Sequence, residues 1–241
     1  MISINIIIPT FNEDENIISL LKDIKKNIPT ASISIVDDSK NNNMKKILKK
    51  NNFDKKIKYF HRINSRGRGS AVLYGFKQLL KKKSNQIFIE MDADFSHKPS
   101  ELKQNIRLFK KKKFDLLIAS RYLPKSRIVN WPLSRKIFSK LSNILAKAIL
   151  NIDVKDYTNG FRIYSKKATY LITKKCGKIG DGFIVLSEIL LILNINKFKI
   201  HEVSTVFVNR KRGESSVNLR LILQSFIGLI KLFLIKKNYK N

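Results

Sequence analysis

The stretch Ile87-Phe88-Ile89-Glu90-Met91-Asp92-Ala93-Asp94 decides the fold: a short apolar run stops on two carboxylates one residue apart. Runs of this length, rich in Ile and bounded by polar residues, read as buried strands. Residues 4–9, 33–37 and 116–120 repeat the form, and residues 13–26, 44–50, 70–82 and 99–112 between them carry helical periodicity. Strands alternating with helices predict an α/β fold, a mostly parallel central sheet with helices on both faces. Such sheets bind ligands at the carboxyl ends of their strands. Three of the runs end in polar or acidic residues: Asn12 and Glu13, Asp37 and Asp38, Asp92 and Asp94. One site built from several loops is expected.

A chain of 241 residues suits one α/β unit with a real core. Hydrophobic residues at 43% exclude a disordered basic tail protein. The single Cys176 excludes a disulfide framework and a multi-cysteine metal site, and fits a reducing compartment. The apolar run 4–8 is too short for the core of a signal segment. Lys plus Arg outnumber Asp plus Glu by 49 to 18, a net charge of +31. Much of that surplus sits in lysine runs such as 81–83 and 110–113, which read as solvated faces. The field they create favours nucleic acid, nucleotide diphosphates or anionic lipid surfaces.

Asp92 and Asp94 at a strand end suit a hard divalent cation, which prefers oxygen ligands and bridges substrate phosphates; the bland alternative is a turn with capping acids. Asp37 and Asp38 could accept from a ribose hydroxyl or a base amine, or simply form an Asx-type turn. Arg66-Gly67-Arg68-Gly69 opens a helix with two guanidinium groups and exposed N–H groups, a reasonable diphosphate cradle. Its spacing is neither a Walker loop nor a dinucleotide fingerprint. Arg121, Arg135 and Arg210 each lie near an element boundary. His61, His97 and His201 form no metal pattern, and Cys176 has no base partner in the sequence.

Two later segments are amphipathic. In 134–150, Ile137, Phe138, Leu141, Ile144, Leu145, Ala148 and Ile149 share one face, with Lys136, Lys140, Asn143 and Lys147 opposite. Either this apolar face packs on the sheet or the helix lies on a membrane. The segment 219–235 is more apolar, with Arg220, Gln224, Gly228 and Lys231 in one stripe and Lys236, Lys237 and Lys240 after it. It reads as an interfacial helix rather than a span. The expected division is a catalytic domain over 1–215, then an interfacial helix and basic tail over 216–241.

The order of the pieces carries a resemblance. Pro9-Thr10-Phe11-Asn12-Glu13, Val36-Asp37-Asp38-Ser39, Gly67-Arg68-Gly69-Ser70-Ala71 with Gly75, and Met91-Asp92-Ala93-Asp94 together resemble the family 2 inverting glycosyltransferases. Ser120-Arg121-Tyr122, Thr158-Asn159-Gly160-Phe161-Arg162-Ile163-Tyr164 and the segment from Glu202 into Arg210-Lys211-Arg212-Gly213-Glu214-Ser215 look most like the dolichol-phosphate mannose synthases and related polyprenyl-phosphate sugar transferases. The resemblance implies a GT-A (Rossmann-like) fold, a nucleotide-sugar donor, and Mg²⁺ or Mn²⁺. GDP-mannose is the foremost donor and UDP-glucose a second. The implied acceptor is a polyprenyl or dolichyl phosphate, and the implied place is the cytoplasmic face of a membrane. Pro9, Phe11, Glu13 and Asp38 would hold the nucleoside. Asp92 and Asp94 would meet ribose, metal and diphosphate, and Arg121, Arg135 and Arg210 would face the donor or acceptor phosphates.

Two departures stand out. Ser39-Lys40-Asn41-Asn42-Asn43 replaces the usual Ser-Pro-Asp-Gly continuation, and Gly213-Glu214-Ser215-Ser216 lacks the family's lysine, with Lys211 and Arg212 nearby. Two alternatives remain open: a cell-envelope glycan acceptor, and an inactive basic relative binding membrane or nucleic acid. A lipid phosphate is already anionic near neutral pH, so its attack needs positioning and charge stabilisation more than a strong base. Paired Asp and several Arg suit that chemistry better than glycosidase, protease or kinase chemistry.

Overall fold

The computed structural model describes residues 2–80, 86–209 and 219–239. Strand β1 (Ser3–Thr10) and helix α1 (Ile17–Asn27) begin a βα alternation. It runs through β2 (Ser32–Asp37), α2 (Asn43–Lys50), β3 (Lys58–His61), α3 (Arg68–Leu79), β4 (Gln86–Glu90), α4 (Leu102–Lys112) and β5 (Leu116–Ser120). Then β6 (Arg127–Val129) and the long α5 (Leu133–Leu150) lead to β7 (Arg162–Ser165), α6 (Lys166–Lys175) and α7 (Ile184–Ile195). The described chain closes with β8 (Ile200–Ser204), β9 (Val206–Val208) and α8 (Leu219–Ile235).

The main sheet has the order β3-β2-β1-β4-β7-β5-β8. Strand β7 is antiparallel to β4 and β5, and the other pairings are parallel. Strands β6 and β9 form a separate parallel ribbon. Side-chain alternation divides the core. Ile6 and Ile8 of β1, with Ile87 and Ile89 of β4, face α1, α2 and α4, while Ile7 and Phe88 face α3, α6 and α7. Burial on both faces explains why these strands read as continuous apolar runs. Each fully buried Ile or Phe contributes about 1.5–3 kcal/mol.

Because β1 lies between β2 and β4, the ends of the three strands carrying polar residues are neighbours. The expected α/β sheet with helices on both faces is present. Element ends differ in places. The segment expected as helix from residue 13 becomes helical only at Ile17, because Asn12 has φ of 56° and the chain turns before the helix starts. Strand β4 stops at Glu90, two residues before Asp92.

The apolar stripe of α5 does not pack on the sheet. Ile137, Leu141 and Ile144 are at least half exposed, whereas Asn143, Ala146 and Leu150 are buried. Asn143 was expected opposite the packed face; instead its Oδ1 accepts from Tyr157 N (2.6 Å) and its Nδ2 donates to Ser139 O (2.7 Å). Helix α8 packs on α5 and α7, and Leu229 and Leu232 join the core that holds Ile7. Gly228, expected in the polar stripe, is buried against Ile184, where a Cβ would come within 2.6 Å. Among the described residues no helix is long and apolar enough to cross a membrane.

Candidate functional site

The site is built on the carboxyl edge of the sheet. On its β2 side, Asp37 is a fastening rather than an open ligand. Its carboxylate accepts from Thr10 Oγ1 (3.0 Å), Ser39 Oγ (2.6 Å) and Tyr59 Oη (2.9 Å). Burial and this carboxylate push the Tyr59 phenol well above its ordinary range. Asp38 meets Arg62 through both oxygens (2.7 and 2.6 Å) and also accepts from Gly67 N (3.0 Å). Near them the Arg66 guanidinium lies 4.2 Å from the centre of the Phe11 ring, and Glu13 Oε2 accepts from Asn16 Nδ2 (3.2 Å). Pro9, the last residue but one of β1, is half-buried and in register with Val36 of β2.

Arg68, at the first turn of α3, is enclosed by the site's own acids. Its Nε donates to Asp92 Oδ1 (2.8 Å), Nη1 to Glu90 Oε2 (3.0 Å) and Nη2 to Gly160 O (3.1 Å). Burial opposes the charge, but Asp92 and Glu90 outweigh it and raise the guanidinium further above its usual value. Gly160 is required here, because a Cβ would lie 1.8 Å from Arg68 Nη2. Part of the expected diphosphate cradle Arg66-Gly67-Arg68-Gly69 is thus occupied from within the chain. The N–H groups of Gly67 and Ser70 already donate to Asp38 and to Asp181 O (3.0 Å), and Arg68 faces carboxylates. Gly67, at φ of 143°, permits that close approach to Asp181.

The loop after β4 is held by His97. Asp92 N donates to His97 Nδ1 (3.0 Å), which places the ring proton on Nε2, and Nε2 then donates to Asn159 Oδ1 (2.9 Å). Asn159 Nδ2 in turn donates to Ala119 O. Asp94 is buried and accepts from Ser96 N (3.1 Å) while lining a cavity of about 620 Å³ with Glu15, Lys98 and Asn209. Among the described residues no group of three His, Cys, Asp or Glu forms a metal cage. Two carboxylates at a strand end, with the remaining ligands left to substrate phosphates and water, are the donor set that Mg²⁺ or Mn²⁺ accepts.

Beyond β5 the character changes to arginine and aromatic rings. Arg121 donates through Nε (2.8 Å) and Nη2 (2.7 Å) to Asp156, and through Nη2 to Thr158 Oγ1. Despite burial, this guanidinium holds the Asp156 carboxyl below the usual carboxylate range. Arg121 Nη1 makes no hydrogen bond among the described residues. Arg135, in the first turn of α5, lies 4.3 Å from the centre of the Trp131 ring and donates to Asn209 Oδ1 (3.0 Å). Trp131 Nε1 is a buried donor without a partner among the described residues. Burying such a group unpaired costs about 1–3 kcal/mol, so it marks a place for an acceptor.

Phe207 joins the two sides. Its ring stands 5.5 Å from His97, 5.2 Å from Trp131 and 5.4 Å from the Arg121 guanidinium. Asn209, the residue after β9, does the same, bonding Arg135 while lining the Asp94 cavity. Sequence reasoning missed Arg62, Trp131 and the positioning role of His97. Arg62 had no local signal, its partner Asp38 being 24 residues upstream; Trp131 and His97 carry theirs only through contacts made on folding. Arg210, and with it Lys211, Arg212 and Ser216, lies outside the described residues.

A family model described as glycosyl transferase family 2 matches residues 5–171. The undecaprenyl-phosphate mannosyltransferase of Micrococcus luteus is 29% identical over 227 residues, 93% of this chain and 91% of that one. The polyprenol monophosphomannose synthase of Mycolicibacterium smegmatis is 29% identical over 215 residues, 88% and 80% of the two chains. Glucosyl-3-phosphoglycerate synthase from Mycobacterium tuberculosis, solved with Mn²⁺, UDP and glucosyl-3-phosphoglycerate, aligns with a TM-score of 0.67 at 14% identity. That alignment covers 97% of this chain and 78% of the other, and it shows the fold, which is GT-A.

Proposed function

The chain belongs to glycosyl transferase family 2, and from that membership we propose that it moves a hexose, mannose from GDP-mannose foremost, onto a polyprenyl phosphate with inversion. The names of the two bacterial relatives support the lipid-phosphate acceptor. One observation carries the reading on this chain. The acidic pair Asp92 and Asp94 and the group Arg121, Arg135 and Trp131 share walls, through Phe207 and Asn209. One wall suits a metal-bound diphosphate, the other an anionic nucleophile.

In this reading Asp92 and Asp94 hold a divalent cation, which supplies charge neutralisation to the departing nucleoside diphosphate. Arg68, Glu90 and His97 fix the Asp92 loop so that the carboxylate need not reorganise during the reaction. Arg121 Nη1, the Arg135 guanidinium and Trp131 Nε1 receive the acceptor phosphate and orient one oxygen toward the anomeric carbon. No side chain has to take a proton from an acceptor that is already ionised. The acceptor would reach the site from a membrane surface.

Incubating the protein with GDP-mannose, Mg²⁺ or Mn²⁺ and a polyprenyl phosphate tests this. A lipid-linked mannose of inverted configuration, lost on chelation, is expected. UDP-glucose serving in place of GDP-mannose would change the sugar and keep the reaction class. Absence of any lipid-linked sugar with every common donor would overturn it.

A further inference from the structure

The acidic end of β4 carries Glu90, Asp92 and Asp94, and one fixed cation lies among them. Glu90 spends both oxygens inside the protein, accepting from Tyr164 Oη and from Arg68 Nη1 (3.0 Å). Asp92 gives Oδ1 to Arg68 Nε (2.8 Å). One guanidinium is therefore shared by two of the acids, and an oxygen that a hard cation would take from Asp92 is already engaged. The guanidinium has little room to leave. It extends from the first turn of α3, Nη2 donates to Gly160 O (3.1 Å), and the centre of the Phe183 ring is 5.8 Å away.

The neighbouring groups do not alter that balance. Arg121, whose charge also feels Asp92, is tied to Asp156 at 2.7 Å. His97 Nε2 lies 3.8 Å from Asp92 Oδ2 and donates to Asn159. Divalent-ion affinity rises with the number of charged oxygens a site offers and falls beside a like charge. With Glu90 consumed and Arg68 on Asp92, this edge is poor in both respects for a bare ion. A nucleoside diphosphate reverses both. Its oxygens complete the ligand set, and its negative charge is drawn to the same guanidinium.

We propose that Arg68 is a built-in counter-cation that keeps the acidic pair from holding a divalent ion by itself, so that ion and nucleoside diphosphate are captured together. This role rests on the assignment of Asp92 and Asp94 to the metal, and it differs in sign from positioning. A residue that only fixed the Asp92 loop would raise metal affinity, and its loss would weaken binding. A counter-cation lowers that affinity, and its loss strengthens binding. Whatever the ion adds to diphosphate affinity, the diphosphate adds to ion affinity.

Titrating Mn²⁺ into the full chain, followed by the paramagnetic resonance of the free ion, tests this without turnover. The titration is run alone and with GDP or UDP, protein-free controls giving the Mn²⁺ that each nucleotide binds. Wild type is expected to bind Mn²⁺ weakly alone and about tenfold more tightly with nucleotide. Arg68→Met should bind Mn²⁺ alone about tenfold more tightly than wild type, while Arg68→Lys, which keeps the charge, stays near wild type. Arg68→Met leaves Glu90 buried without its partner, so Arg68→Met/Glu90→Gln is also compared with Glu90→Gln, circular dichroism confirming each fold. The same gain is expected in that comparison. No gain in either comparison, or wild-type affinity that is equal with and without nucleotide, would overturn the counter-cation. Asp94→Asn should lose Mn²⁺ in both conditions. Binding unmoved by Asp94→Asn would overturn the metal assignment and the counter-cation with it; loss there without a gain on removing Arg68 would overturn the counter-cation alone.

Discussion

Arg68, half-buried, and Arg121, buried, stand on the same sheet edge, and they end in opposite situations. Arg68 has all three guanidinium nitrogens engaged, by Asp92, Glu90 and Gly160. Arg121 is paired with Asp156 through Nε and Nη2, while Nη1 makes no hydrogen bond among the described residues. The first arginine organises the carboxylates; the second is itself organised by a carboxylate and keeps an arm to offer. Residue type and location at the site are thus insufficient to assign a phosphate ligand. What decides is how many of its donors the protein already satisfies.

The largest expected effect falls on the acidic side. Asp94→Asn removes charge from the proposed metal pair and should lower kcat about a thousandfold, since the ion is worth several kcal/mol at about 1.4 kcal/mol per tenfold. Steady-state rates with near-saturating donor measure it. Wild-type turnover would remove Asp94 from the metal site and blur the distinction between the two sides.

On the arginine side the expected effect is first one of stability. Arg121→Ala leaves Asp156 buried and unpaired, which costs about 3–5 kcal/mol, and Arg121→Ala/Asp156→Ala should recover part of that in urea unfolding. The pH dependence follows from the same pair. Asp156 has a depressed pKa in the folded state, so its stabilisation is fully present above the ordinary carboxylate value of about 4 and is lost as pH falls through the folded value. Wild type should lose stability in that acid window, and Asp156→Asn should show a flatter profile there. The smallest effect is that of Trp131→Phe, which keeps the ring and removes the orphan donor. It should raise KM for the lipid acceptor about tenfold to a hundredfold, with KM for the donor unchanged, the worth of one hydrogen bond to a charged group.

Legibility in the sequence follows burial. Strands β1, β2, β4 and β5 are buried along their length and announce themselves as apolar runs. Strand β3, Lys-Tyr-Phe-His with every residue half-buried, has neither an apolar run nor alternation, so its end and Arg62 beyond it stayed hidden. The acidic pair was legible because it closes such a run. Asp156, Asn159 and His97 act through partners that only folding supplies. For α5, periodicity located the apolar stripe and was silent on which side faced the core. That was settled by Asn143, whose amide satisfies the backbone of Tyr157 and so belongs inside.

Trp131 is the only tryptophan in the sequence, so its fluorescence reports on the arginine side alone. Titrating a polyprenyl phosphate into wild type and Arg135→Ala, and separately GDP-mannose with Mg²⁺ into wild type, tests the two-sided site most directly. The account predicts a saturable emission change with the lipid phosphate that is lost in Arg135→Ala, and little change with the donor. An emission change that follows the donor and ignores the lipid phosphate would contradict it.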